Sequence, residues 1–120
     1  MKSYKELEVY LLSFQLAKEV HFMTQKLPLG EKYELGSQVR RSAQSIRANI
    51  VEGYGRRRYK KDFIHFLIQA YGSLLETTSH IEMLSKLYPE KSFSDLHTRY
   101  DSLGARLNSF ITYVENHWKT

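Results

Sequence analysis

Arg56, Arg57, Arg58, Lys60 and Lys61 fall within six consecutive positions. A guanidinium matches phosphate oxygens in bidentate geometry and an ammonium acts as a point charge, so this run offers phosphate-binding chemistry. Tyr54 and Tyr59 interleave with it, and aromatic rings beside arginines can stack exposed bases. Upstream, Arg40 and Arg47 are seven residues apart, two helical turns, and so point the same way. Arg40, Arg47, Arg56, Arg57, Arg58, Lys60 and Lys61 are the expected nucleic-acid-binding set. Over residues 40–61 eight basic side chains face one acid, Glu52, a net charge of +7 in a chain that totals +5. The remainder is therefore −2, and the positive field belongs to this one segment. A basic run on a link often serves solubility alone. Its clustering against an acidic remainder is what favours binding.

Catalytic chemistry is thin by comparison. Glu52 invites the role of a base, but Arg56 stands four residues on and an ion pair is the simpler role. Asn49 reads as a buried hydrogen-bonding residue near a helix end. "GYGRRR" has two glycines at GxG spacing but no third and no strand before it, so it is not a nucleotide fingerprint. There is no GxSxG elbow. The histidines, His21, His65, His80, His97 and His117, show neither HxxxH nor HExxH spacing, so no metal site and no cofactor is expected. Arg58 and His65, with six residues between them, resemble the Arg–His pair of some helical ribonucleases. The pattern around that pair is missing, and a short motif of this kind carries little weight.

The elements that must hold these residues are helical. A 120-residue chain with 42% apolar residues suits one domain around one core, residues 1–120. It has no cysteine, which excludes a disulfide scaffold and cysteine-rich zinc sites. No signal-peptide pattern or apolar run of about 20 residues is visible, so a cytoplasmic protein without membrane contact is expected. Apolar residues recur at helical spacing four times: Val9, Leu12, Leu16, Val20, Met23 and Leu27; Leu35, Val39, Ala43, Ile46 and Ile50; Phe63, Leu67, Ala70, Leu74, Ile81 and Leu84; Leu96, Tyr100, Leu103, Leu107, Phe110, Val114 and Trp118. Breaks fall in "LPLGEKYELG", "GYGRRRY" and "LYPEKSF". Ser92 or Ser94 is placed to cap the last helix. The class is all-α, and the architecture expected is an antiparallel up-down-up-down four-helix bundle.

Two helices carry more than a bundle needs. Ile64, Ile68, Tyr71 and Leu75 spread to one side of the Leu67–Leu74 line, and Phe66 and Ala70 to the other. Ala48 and Ser45 offer small residues away from Val39, where another helix could approach. Both features favour self-association.

"EKYELGSQVRRSAQSIRANIVEGYGR" resembles the signature of the small four-helix-bundle proteins encoded in intervening sequences of bacterial 23S ribosomal RNA genes. Glu31, Tyr33, Leu35, Gln38, Arg40, Arg41, Ser45, Ile46, Asn49, Ile50, Glu52, Gly53, Gly55 and Arg56 carry it, with Ser42 where alanine is more usual. Downstream, "KDFIHFLIQAYGSLLE" is similar to the family's continuation through Phe63, Phe66, Leu67, Ala70, Gly72, Ser73 and Glu76. The resemblance implies a bundle that assembles into a ring-like homopentamer, with no catalytic residues to carry over. A ribosomal label on such proteins says where they are encoded, not that they belong to ribosomes. The family is similar to an accessory protein of diversity-generating retroelements, which implies nucleic-acid binding through a basic surface and a reverse transcriptase as protein partner.

The matched polar residues Arg41, Asn49, Glu52 and Glu76 are expected to form a structural network, with Arg41 paired to either glutamate. Losing one partner of a buried pair would cost about 3–5 kcal/mol. The function expected is a non-enzymatic oligomer binding structured RNA or RNA–DNA with low sequence specificity. The alternative is a protein-interaction scaffold.

Overall fold

Four long helices carry the four apolar repeats, and their ends fall where proline, glycine and charge interrupt the pattern. In the computed structural model, residues 3–119 are described. A short 3-10 turn, Tyr4–Glu6, opens the chain, with the Ser3 hydroxyl accepting from the Lys5 amide at 3.1 Å. The helices are α1 (Glu8–Gln25), the single turn α2 (Leu29–Tyr33), α3 (Leu35–Gly55), α4 (Lys60–Leu87) and α5 (Phe93–His117). Among the described residues there is no strand. The four long helices run up, down, up and down as an antiparallel bundle in a body of 48 × 21 × 20 Å.

Burial follows the sequence repeats closely. Val39, Ala43, Ile46 and Ile50 of α3 meet Phe63, Leu67, Ala70, Leu74, Ile81 and Leu84 of α4 and Leu96, Tyr100, Leu103, Leu107 and Val114 of α5 in one continuous core. Leu12, Met23, Leu35, Phe110 and Trp118 pack at its edge, partly buried. Thr77 and Ile111 are buried as well, as are Leu7, Tyr10, Ala17, Tyr54 and Phe93, although the apolar pattern passed over them. Thr77 is polar yet wholly buried, because its hydroxyl donates to the Ser73 carbonyl at 2.7 Å and shares a 2.8 Å hydrogen bond with the Ser42 hydroxyl.

Small polar residues set the α3–α4 spacing. Ser45 and Ser73 share a hydrogen bond at 2.8 Å across the seam, and Asn49 Nδ2 donates to Ser45 Oγ at 3.1 Å and to the Ser45 carbonyl at 2.9 Å. Ser45 therefore faces α4 of its own chain, which corrects its reading as part of a surface left for another helix; Ala48 is exposed. One turn further, a Cβ on Gly53 would sit 3.1 Å from Phe66 Cβ and 3.3 Å from the Phe63 carbonyl oxygen. Glycine is what allows the two helices to close here.

The link between α1 and α3 is not a plain loop. Pro28 ends α1's run and α2 forms a separate turn before α3. Arg40 holds this corner: its guanidinium donates to Thr24 Oγ1 at 2.9 Å and to the Lys32 carbonyl at 3.0 Å. On the opposite seam, Arg99 of α5 pairs with Glu19 of α1, and Arg106 pairs with Glu8 at 2.7 Å. The Arg99 hydrogen bond holds the Glu19 carboxyl below its usual range, against the opposing effect of burial. Ser92 occupies the N-cap position of α5, but its side chain makes no capping bond.

Candidate nucleic-acid interface

The basic run lies at one end of the bundle, where α3 stops, α4 starts and α5 ends. The Arg56 amide closes α3 on the Gly53 carbonyl at 3.0 Å, and the Arg57 amide follows on the Tyr54 carbonyl at 3.1 Å. The Tyr59 amide then donates to the Arg56 carbonyl at 2.9 Å, so residues 56–59 form a tight turn. Successive side chains of such a turn splay apart, and the three arginines meet three different surroundings.

Arg56 turns back along α3. Its Nε lies 2.8 Å from Glu52 Oε2, with both side chains about half exposed, and its guanidinium lies 5.0 Å from the Phe66 ring centroid. Arg57 stacks 4.0 Å over the Tyr54 ring and donates to the Tyr54 carbonyl at 2.9 Å. Arg58 alone points outward, 6.0 Å from the Tyr59 ring centroid. Lys61 is exposed and Lys60 half-buried on the first turn of α4, which has no side-chain cap. Arg58, Lys60 and Lys61 meet no carboxylate among the described residues. With the uncapped amides of α4 they form a corner suited to anions.

The other two predicted cations are elsewhere. Arg40 is at the opposite end of the bundle, engaged inside the fold as described above, so its place in the binding set is corrected: a guanidinium holding Thr24 and Lys32 is not free for phosphate. No local pattern signals this, because Thr24 is sixteen residues away. Arg47 lies on the α3 surface, bidentate on Gln44 Oε1 at 3.0 and 2.7 Å. The partner is neutral, so the charge of Arg47 remains. It shares a groove between α1 and α3 with Phe14, Lys18 and His21. Lys18 and His21 bring positive or titratable groups that reading along the chain did not join to it.

The expected polar network is not formed as drawn. Arg41 and Glu76 are exposed, and neither meets Glu52 or the other within the chain. Glu52 is paired with Arg56 instead. Asn49 alone takes part in a network, the Ser45–Ser73 line between α3 and α4. The physical reason for the first pairing is separation: Glu52 stands eleven residues from Arg41 on the same helix, about 16 Å at its usual rise.

His65 is exposed, with a ring nitrogen 3.3 Å from Gln69 Nε2 and no arginine among its hydrogen bonds. It lines an open groove on α4 with Ile68, Gln69, Gly72, Ser73 and Glu76. His65 and Glu76 are about 16 Å apart along the helix at its usual rise, too far to share one proton-transfer step. Among the described residues no three His, Asp or Glu side chains converge as a metal-binding group, and no helix is long and apolar enough to cross a membrane.

The described residues form a helical bundle with a basic end. Residues 5–109 match the 23S rRNA-intervening sequence protein family, and the chain belongs to that family. The fold is also similar to the crystal structure of a protein of unknown function from the S23 ribosomal protein family of Bacteroides thetaiotaomicron. The TM-score is 0.77 at 24% identity, over 87% of this chain and 95% of that one. No curated protein matches this chain.

Proposed function

We propose that this protein is a non-enzymatic, oligomeric bundle that binds nucleic acid, structured RNA or an RNA–DNA hybrid, in the cytoplasm through its basic end. The observation that carries the reading is the corner of Arg58, Lys60 and Lys61, three cations at one end of the bundle without a carboxylate partner among the described residues, beside the uncapped first turn of α4. Arg47 extends the positive surface along α3. Phosphate contacts position a ligand without reading its sequence, so specificity is low.

Self-association belongs to the same reading. Leu11, Phe14 and Phe22 of α1 are exposed by 52%, 47% and 59%, and Ile68 and Leu75 of α4 by 55% and 52%. Each set lies along one helix face, beyond what an isolated bundle needs. A ring-like homopentamer would cover such faces and repeat the basic corner around the assembly, multiplying a weak contact. These apolar faces also suit the alternative of a scaffold for a protein partner, a reverse transcriptase among them.

The test is fluorescence anisotropy with a labelled structured RNA and a duplex DNA, titrated across salt. Wild type is compared with a variant in which Arg58, Lys60 and Lys61 become glutamate, after confirming equal native mass. Arg56 and Arg57 are left in place because both are engaged within the fold. The expected result is a steep negative salt slope, about −0.7 to −0.9 per phosphate neutralised, that the variant loses. Absence of binding by wild type at low salt would refute the reading and leave the protein-scaffold alternative.

A further inference from the structure

The basic turn is not a flat patch. Beside it, Gly55, Arg57, Arg58, Trp118 and Lys119 line an open notch of about 360 Å³. Trp118 comes from the far end of the chain and is fixed there by two contacts. Its indole Nε1 donates to the Arg57 carbonyl at 3.3 Å, and its ring stands edge-on to Phe63 at 5.1 Å between centroids. An aromatic wall and three cationic side chains thus line one concavity with no acid among them.

Gly55 is the second observation. It lies in the last turn of α3, its φ is negative, and a Cβ placed on it would meet nothing within 4 Å. Neither the backbone nor packing requires glycine there, and in a helix glycine costs up to about 1 kcal/mol relative to alanine. Gly53, two residues earlier, is required by contact with α4. Gly55 lines the notch, and its missing side chain leaves open space there.

We propose that this notch is a subsite for one unpaired nucleotide of a single-stranded segment, with its phosphate held by Arg58 and Lys119 and its base against Trp118. The inference rests on the nucleic-acid reading above and specifies which part of the ligand enters the fold. The chemistry follows from the lining: cations take the backbone and an aromatic ring takes the base face, the combination by which single strands are held without sequence preference. A duplex keeps its bases stacked inside and can use only the outer cations, Arg58, Lys60 and Lys61.

Trp118 is the only tryptophan, so the notch carries its own reporter. Intrinsic fluorescence of the intact protein is titrated with a short oligouridylate, a duplex of the same length and inorganic phosphate, with anisotropy of labelled structured RNA run in parallel. The expected result is a saturable tryptophan change with oligouridylate, none with duplex, and a weaker one or none with phosphate. Gly55→Leu should fill the notch and weaken oligouridylate binding about tenfold or more, while leaving the unfolding midpoint and structured-RNA anisotropy near wild type. If structured RNA binds but oligouridylate leaves Trp118 unchanged, the subsite is refuted and the broader reading stands. If nothing binds, both fall. A full response to phosphate alone would make the notch a plain anion site and overturn the assignment to a nucleotide. Normal oligouridylate binding by a folded Gly55→Leu protein would overturn it as well.

Discussion

Gly53 and Gly55 stand two residues apart on the same helix, yet alanine should move stability in opposite directions at the two positions. Replacing a helical glycine by alanine recovers up to about 1 kcal/mol of backbone entropy. At Gly53 the new methyl would lie 3.1 Å from Phe66 Cβ and 3.3 Å from the Phe63 carbonyl oxygen, well inside the carbon contact optimum of about 3.5–4.0 Å. Both neighbours are fixed to the α4 backbone and cannot swing away. Relief requires α3 and α4 to separate by a few tenths of an ångström, and overpacking of this kind costs about 1–3 kcal/mol. The net expectation for Gly53→Ala is a loss of about 1 kcal/mol, or about 4 °C in Tm for a chain of this size. At Gly55 a Cβ meets nothing within 4 Å. Gly55→Ala should therefore stabilise by about 0.5 kcal/mol, less than the full propensity gain because the site is at the helix end. Urea unfolding followed by far-UV circular dichroism, at matched protein concentration because the protein is proposed to self-associate, measures both. A Gly53→Ala protein as stable as Gly55→Ala would refute the argument that close α3–α4 approach is what glycine serves at position 53.

Two further outcomes follow from the corner and the seam. Arg40→Ala removes the bonds to Thr24 Oγ1 and the Lys32 carbonyl and should lower stability by about 2 kcal/mol, without changing the salt slope of nucleic-acid binding; a shallower slope in a stably folded variant would return Arg40 to the binding surface. Glu19 is held below its ordinary value of 4.5 by its bond to Arg99, so it adds stability above that value that is lost as pH falls through its lowered pKa. Glu19→Gln should therefore be less stable than wild type at neutral pH, with the gap narrowing on acidification in a series of urea midpoints. A gap of constant size from neutral to acid pH would sink that account.

The fold was largely legible in the order of residues because helical periodicity is a local property. Apolar side chains three and four apart must share a face, and proline, glycine and charge clusters must interrupt it. That reasoning located the four long helices and the Glu52–Arg56 pair. The excess apolar surface was visible only in part: Ile68 and Leu75 are exposed on one face of α4, whereas Ala70 is buried in the core and Ile64 and Tyr71 pack against it. Charge counting singled out the basic turn but swept in Arg40, which lies at the opposite end of the bundle.

What only the tertiary structure decided concerns which side chains meet across helices. Arg40 and Arg58 are the same residue type, and nothing local distinguishes them. One is drawn inward by Thr24 and the Lys32 carbonyl, and the other is left outward by a tight turn. Ser45 looked like exposed small surface until Ser73 of α4 was placed against it, and Thr77 looked polar until Ser42 made its burial affordable in hydrogen bonds. Trp118 and Lys119 join the basic turn only because α5 ends beside it, some sixty residues later in the chain. Periodicity is written in neighbouring residues and can be read along the chain. Long-range hydrogen bonds and the notch between chain segments exist only once packing brings those segments together.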